Sequence, residues 1–93
     1  MSGTPLHPAA SAGHADVAAI LLDAGADPDV RQTHGWTPLH AAARNGDLAL
    51  VELLLGHGAD PAATNDDGAT VIALAREGGD ARMVVRVRTA LDN

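Results

Sequence analysis

Between Thr37 and Gly68, apolar and polar positions fall in blocks that spell out two helices and a turn. Thr37 is an N-cap residue type, and Pro38 suits the first helical position, where its fixed φ fits and its missing N–H is not needed. Leu39, Ala42 and Ala43 follow at i, i+3 and i+4, which places them on one stripe of a helix. Two of the three are alanine, so this face is thin and lets neighbouring helices approach closely. Asn45-Gly46 predicts the helix end, because glycine takes the left-handed C′ conformation without steric cost. Asp47 then caps a second helix in which Leu48, Leu50, Val51, Leu53, Leu54 and Leu55 make a broad apolar surface, with Glu52 turned away from it. Gly58 closes that helix, Asp60-Pro61 starts an extended loop, and Asn65-Asp66-Asp67-Gly68 has the composition of a tight turn.

The same block recurs along the chain. Thr4-Pro5-Leu6-His7 returns as Thr37-Pro38-Leu39-His40 after 33 residues, and Thr70-Val71-Ile72-Ala73 follows after another 33 as a weaker copy. Gly13, Gly46 and Gly79 keep the same step, as do Leu21 and Leu54, and Gly25-Ala26-Asp27-Pro28 and Gly58-Ala59-Asp60-Pro61. With several independent features in one phase, the chain resembles the ankyrin-repeat family from end to end. The resemblance implies an all-α solenoid of stacked helix-turn-helix units with β-hairpin-like loops projecting from the helices. It assigns Thr4, His7, Thr37, His40, Gly25 and Gly58 to the structural motif, with the imidazoles bonded to the motif threonine and to neighbouring backbone. Residues 1–93 then form a single domain: a first unit over 1–31 that lacks its hairpin, a second over 32–64, and a third over 65–93.

The end units depart from the middle one. Arg76, Arg86 and Arg88 stand where the second unit has Ala43, Leu53 and Leu55, while Met83, Val84, Val87 and Leu91 keep an apolar stripe at helical spacing. One buried face and one charged face predict a C-terminal capping unit. In the first unit, Pro8 stands where the helix would make its first internal hydrogen bond and predicts a late start.

Length and charge narrow the function. At 93 residues a single conventional core is marginal, but stacked units bury their apolar faces on one another. Cysteine is absent, which removes disulfides and thiolate metal sites. The net charge of −6 argues against nucleic acid. No apolar run is long enough to span a bilayer, and a soluble cytoplasmic monomer is the expectation. Five histidines invite a metal reading, yet His7 and His40 belong to the motif, His14 and His57 lie at helix ends, and His34 is at a tip. None falls at i, i+4 with another, so no metal is expected. Serine occurs only as Ser2 and Ser11, Asp66-Asp67 reads as a polar turn, and the glycine-rich stretches lack the spacing and lysine of a phosphate loop. Neither an enzyme nor a cofactor is expected.

What the resemblance leaves is a protein-binding surface along the tips and the exposed ends of the first helices. Its candidate residues are Thr33, His34 and Trp36, then Arg44 and Asn45, in the second unit. In the third they are Asp66, Asp67 and Ala69, then Glu77 and Gly78, with Arg31 and Thr64 at the loop entrances. The first unit offers Gly3, Ser11 and Ala12. Trp36 is the only aromatic residue in the chain. Lying between a turn glycine and a helix cap, it is expected to be partly exposed and removable at little loss of packing, and it reads either as a binding anchor or as a residue tolerated there against the adjacent hairpin. An assembly unit, stacking on another copy or a neighbouring domain, is the alternative.

Overall fold

The computed structural model describes residues 15–78 and 80–92. The expectations for Gly3, Thr4, His7, Pro8, Ser11, Ala12, Gly13, His14 and Gly79 lie outside them. Five helices are described: α1 (Ala15–Asp23), α2 (Pro38–Arg44), α3 (Leu48–Gly56), α4 (Val71–Gly78) and α5 (Ala81–Asp92). A short 3₁₀ turn, Thr33–Gly35, precedes α2. An isolated antiparallel bridge between Thr64 and Thr70 closes the loop before α4.

The helices form two layers. The short helices α2 and α4 pack side by side, while α1, α3 and α5 run as an outer row; α2 packs on α3, and α4 on α5. Residues Pro38 to Ala43 of α2 are all buried, and only Arg44 is exposed. A helix enclosed on nearly every side has room for Ala41, Ala42 and Ala43 but not for three large side chains. Leu39, Leu50, Val51, Leu54, Val71, Met83 and Val87 fill the space between the layers. In α3, Leu48, Leu53 and Leu55 are half-buried, which follows from α3 having an outer-row neighbour on both flanks.

Local chemistry sets the helix starts. Thr37 Oγ1 accepts from the backbone N–H of His40, and the His40 side chain accepts from that of Thr37, so the two form a capping box with Pro38 behind the cap. Asp47 Oδ1 accepts from Leu50 N–H at 3.1 Å, and Thr70 Oγ1 from Ala73 N–H at 3.2 Å.

In α5 the apolar stripe is shorter than expected: Met83 and Val87 are buried and Val84 half-buried, but Leu91 in the last turn is 39% exposed. Glu52 does point away from the apolar surface, yet it does not face open solvent alone; its carboxylate takes the guanidinium of Arg86 across the α3–α5 seam. Arg88 is exposed. An exposed ion pair contributes at most about 1 kcal/mol, so the double substitution Arg86→Leu and Arg88→Leu is expected to leave the chain folded. It also enlarges an apolar surface at one end of the stack, and sedimentation is expected to show stronger self-association. Unfolding of the double variant would instead make those arginines essential to the fold.

Candidate functional site

The candidate surface is built by two loop tips and the ends of the two inner helices. At the first tip, Gly35 N–H donates to Gln32 O and Gln32 N–H to Trp36 O, both at 2.9 Å, closing a tight turn. This geometry places His34 and Gly35 in succession in the left-handed region, with φ of 65° and 74°. At the second tip, the buried Asn65 does the organising. Its Oδ1 accepts from Asp67 N–H at 3.0 Å and Ala69 N–H at 2.9 Å, while its backbone exchanges bonds with Gly68 and Ala69.

The tips are bonded to one another. Asp66 N–H donates to His34 O at 2.9 Å. Arg31 Nη1 donates to Gly35 O at 3.2 Å and to Thr64 O at 2.8 Å, so one side chain ties its own loop to the next. A Cβ on Gly35 would lie 2.6 Å from Asp66 Oδ1 and 3.0 Å from Asp66 N, so the tips touch where only glycine fits. Gly35→Ala is therefore expected to lower stability by about 1–2 kcal/mol, from the left-handed φ and the displaced neighbour together. Urea unfolding measures it. An unchanged midpoint would show that the tips can separate freely.

Trp36 is partly exposed, and its buried part packs against the core. Its ring stands edge-on to the His40 imidazole, with centroids 5.6 Å apart at 65°. The Arg44 guanidinium carbon sits 5.6 Å from the indole centroid, a cation–π contact that fixes both side chains. Arg44 also occupies the last turn of α2, where a positive charge suits the helix dipole.

Beneath this pair, His40 is fully buried. Its Nδ1 is 2.7 Å from Thr37 Oγ1 and 3.4 Å from Thr37 N, and its Nε2 is 3.0 Å from Ala69 O. A carbonyl only accepts, so Nε2 carries the proton and Nδ1 accepts from Thr37; the bonding pattern selects one neutral tautomer. Burial is the main cause holding the imidazole below its usual pKa of 6.5; the bond to Ala69 opposes this, and the Arg31 charge adds to it.

Of the residues expected at the site, Thr33, His34, Arg44, Asn45, Asp66, Asp67, Glu77 and Gly78 are exposed, and Trp36 is half-buried. Asn45 forms the C-cap of α2, and Glu77 lies in the last turn of α4. Arg31, Thr64 and Ala69 are instead engaged through their guanidinium or carbonyl groups in holding the loops together. Asn65 and Gly35 were not among the expected residues; the Asn-Asp-Asp-Gly turn composition was the available signal for Asn65. A groove of about 460 Å³ lies elsewhere, on the outer row between Leu48, Glu52, Val85 and Arg86. It is open and mainly apolar, and no catalytic set of groups converges there. Among the described residues, no three His, Asp or Glu side chains gather as metal ligands, and no helix is long and apolar enough to cross a membrane.

A family model described as ankyrin repeats, three copies, matches residues 2–65. No curated protein matches the chain.

Proposed function

Because the chain belongs to the ankyrin-repeat family, whose members generally mediate protein–protein interaction and are typically non-enzymatic, we propose that it binds a partner protein through its loop tips and inner-helix ends. The observation that carries this reading is the Trp36–Arg44 pair, a partly exposed indole with a guanidinium over its ring, next in sequence to the tip where Gly35 and His34 meet Asp66. Tryptophan and arginine are enriched among residues that dominate binding energy. Thr33, His34, Asn45, Asp66, Asp67 and Glu77 complete the proposed surface, while Arg31, Thr64 and Ala69 hold the loops that carry it. The complementary partner presents an apolar knob beside a basic patch. Residues 1–31, 32–64 and 65–93 are the three units in this reading. The last is the C-terminal cap, with Ala73 in place of a motif histidine and Arg76 in place of Ala43. The protein acts as a cytoplasmic monomer and, at a net charge of −6, does not bind nucleic acid.

Trp36 emission tests the proposal: adding the partner is expected to shift it to the blue and to protect the indole from iodide. A partner that binds without altering either would place the contact elsewhere.

One observation favours the assembly alternative. Ile20 and Val17 of α1 are 69% and 42% exposed, whereas Leu53 and Leu50, 33 residues on, are half-buried and buried. Size on a column separates the two readings, since stacking of copies grows with concentration and a monomeric binder does not.

A further inference from the structure

Among the described residues, each seam of the outer row holds one cross-helix charge contact, and the two differ in kind. Between α3 and α5 it is Glu52 with Arg86; between α1 and α3 it is Asp23 with His57. The repeat does not generate either one, since Ala19 and Leu53 stand 33 residues before the first pair, and Gly56 and Ala90 stand 33 residues after the second. Arginine keeps its charge throughout the accessible pH range, whereas histidine titrates within it.

His57 is the C-cap residue of α3. Its Nδ1 lies 3.0 Å from Leu53 O and its Nε2 3.1 Å from Asp23 Oδ1. Both oxygens are acceptors only, so both ring nitrogens must donate. A neutral imidazole has one N–H and an imidazolium has two. We propose that His57 is a pH-operated latch: as the imidazolium it fastens the end of α1 to the end of α3, and on losing a proton it must give up one of the two contacts.

The surroundings favour the charged form. Carbonyls at the C-terminus of α3 attract a cation, and the ring stays open to water. Its pKa is raised above 6.5, first by the bond to Leu53 O and then by that to Asp23. Asp23 is the charged group facing it from α1. On the other flank of α3, Arg86 of α5 is engaged with Glu52, and in the loop after α3 the Asp60 carboxylate accepts from Ala62 N–H. With a raised folded-state pKa, the contact is complete below pH 6.5 and is lost as pH rises through the raised value. Two other ties across this junction do not involve the imidazole: Asp60 N–H to Asp29 Oδ1 at 2.8 Å, and Arg31 to Thr64 O at 2.8 Å. The latch therefore loosens the end of α1 without undoing the stack, and it holds whether or not the tips bind a protein.

The test combines ring-nitrogen NMR of His57 with amide exchange over residues 17–24, in wild type, His57→Gln and Asp23→Asn. Below its pKa the wild-type ring is expected to show two protonated nitrogens, and its titration midpoint to lie above 6.5. Protection in α1 is expected to fall about twofold as the proton leaves, the scale of an exposed pair. Asp23→Asn should move the midpoint back toward 6.5, and His57→Gln should make α1 protection independent of pH in that range. A midpoint at or below 6.5 in wild type, or the same pH dependence of protection in His57→Gln, would overturn the latch.

Discussion

His40→Ala is expected to destabilise the protein by about 3 kcal/mol, summing a buried volume lost and hydrogen-bonding groups left without partners. The truncation empties space in the core beside Trp36, removes the reciprocal half of the Thr37 cap and leaves Thr37 N–H without its acceptor, and takes from Ala69 O one of its two bonds, the other being from Asn65 N–H. His34→Ala, at an exposed tip, is expected to stay within about 1 kcal/mol of wild type. The pH dependence carries the same signature. A folded-state pKa held below 6.5 means that the unfolded chain binds the proton first, so the His40 contribution is complete above 6.5 and is lost as pH falls toward the depressed value. Urea unfolding at pH 7.5 and pH 5 checks both points: wild type is expected to lose stability between them, and His40→Ala to lose less. Equal losses in the His40 and His34 variants would show that the buried imidazole is not what joins the second tip to α2.

Trp36→Ala is expected to weaken partner binding by about 2 kcal/mol or more, in the range of aromatic anchors. The indole packs partly against the core and the Arg44 guanidinium lies over its ring, so the substitution is also expected to lower stability, by about 1–2 kcal/mol. The cost in stability is therefore larger than tip position alone suggests, yet too small to unfold the array. Titration calorimetry with the partner, at a temperature where the variant remains folded by circular dichroism, keeps the two effects apart. Arg44→Ala should reproduce part of the binding loss, because it frees the ring to reorient. Full affinity in the Trp36 variant would transfer recognition to Arg44, Asp66 and Asp67.

What was legible in the sequence is what a helix or turn settles within a few residues. The Thr37 cap, Pro38 behind it, the Asp47 cap and the alanine-thin stripe of α2 each depend on near neighbours in the chain. The 33-residue step then extended that reading along the array. Contacts across the seams were not legible, because they depend on how one unit sits on the next. Arg31 reaching Thr64, Glu52 meeting Arg86, and His57 meeting Asp23 all join residues 33 or 34 positions apart. Each would look like an ordinary surface charge in the sequence alone. His34 in the left-handed region is another such case, since that conformation is the one that presents its carbonyl to Asp66. Within the candidate site, the sequence identified which residues lie near the tips but not their division of labour. Arg31 and Ala69 face the same region as Trp36, yet they act on the loops.

The measurement closest to the central claim is a capture experiment with three matched baits: wild type, Trp36→Ala, and Val85→Glu on the outer row, where the side chain is 62% exposed. The expected result is one protein retained equally by wild type and Val85→Glu and lost with Trp36→Ala. Retention that survives Trp36→Ala but fails with Val85→Glu would place the binding surface on the outer helices and contradict it.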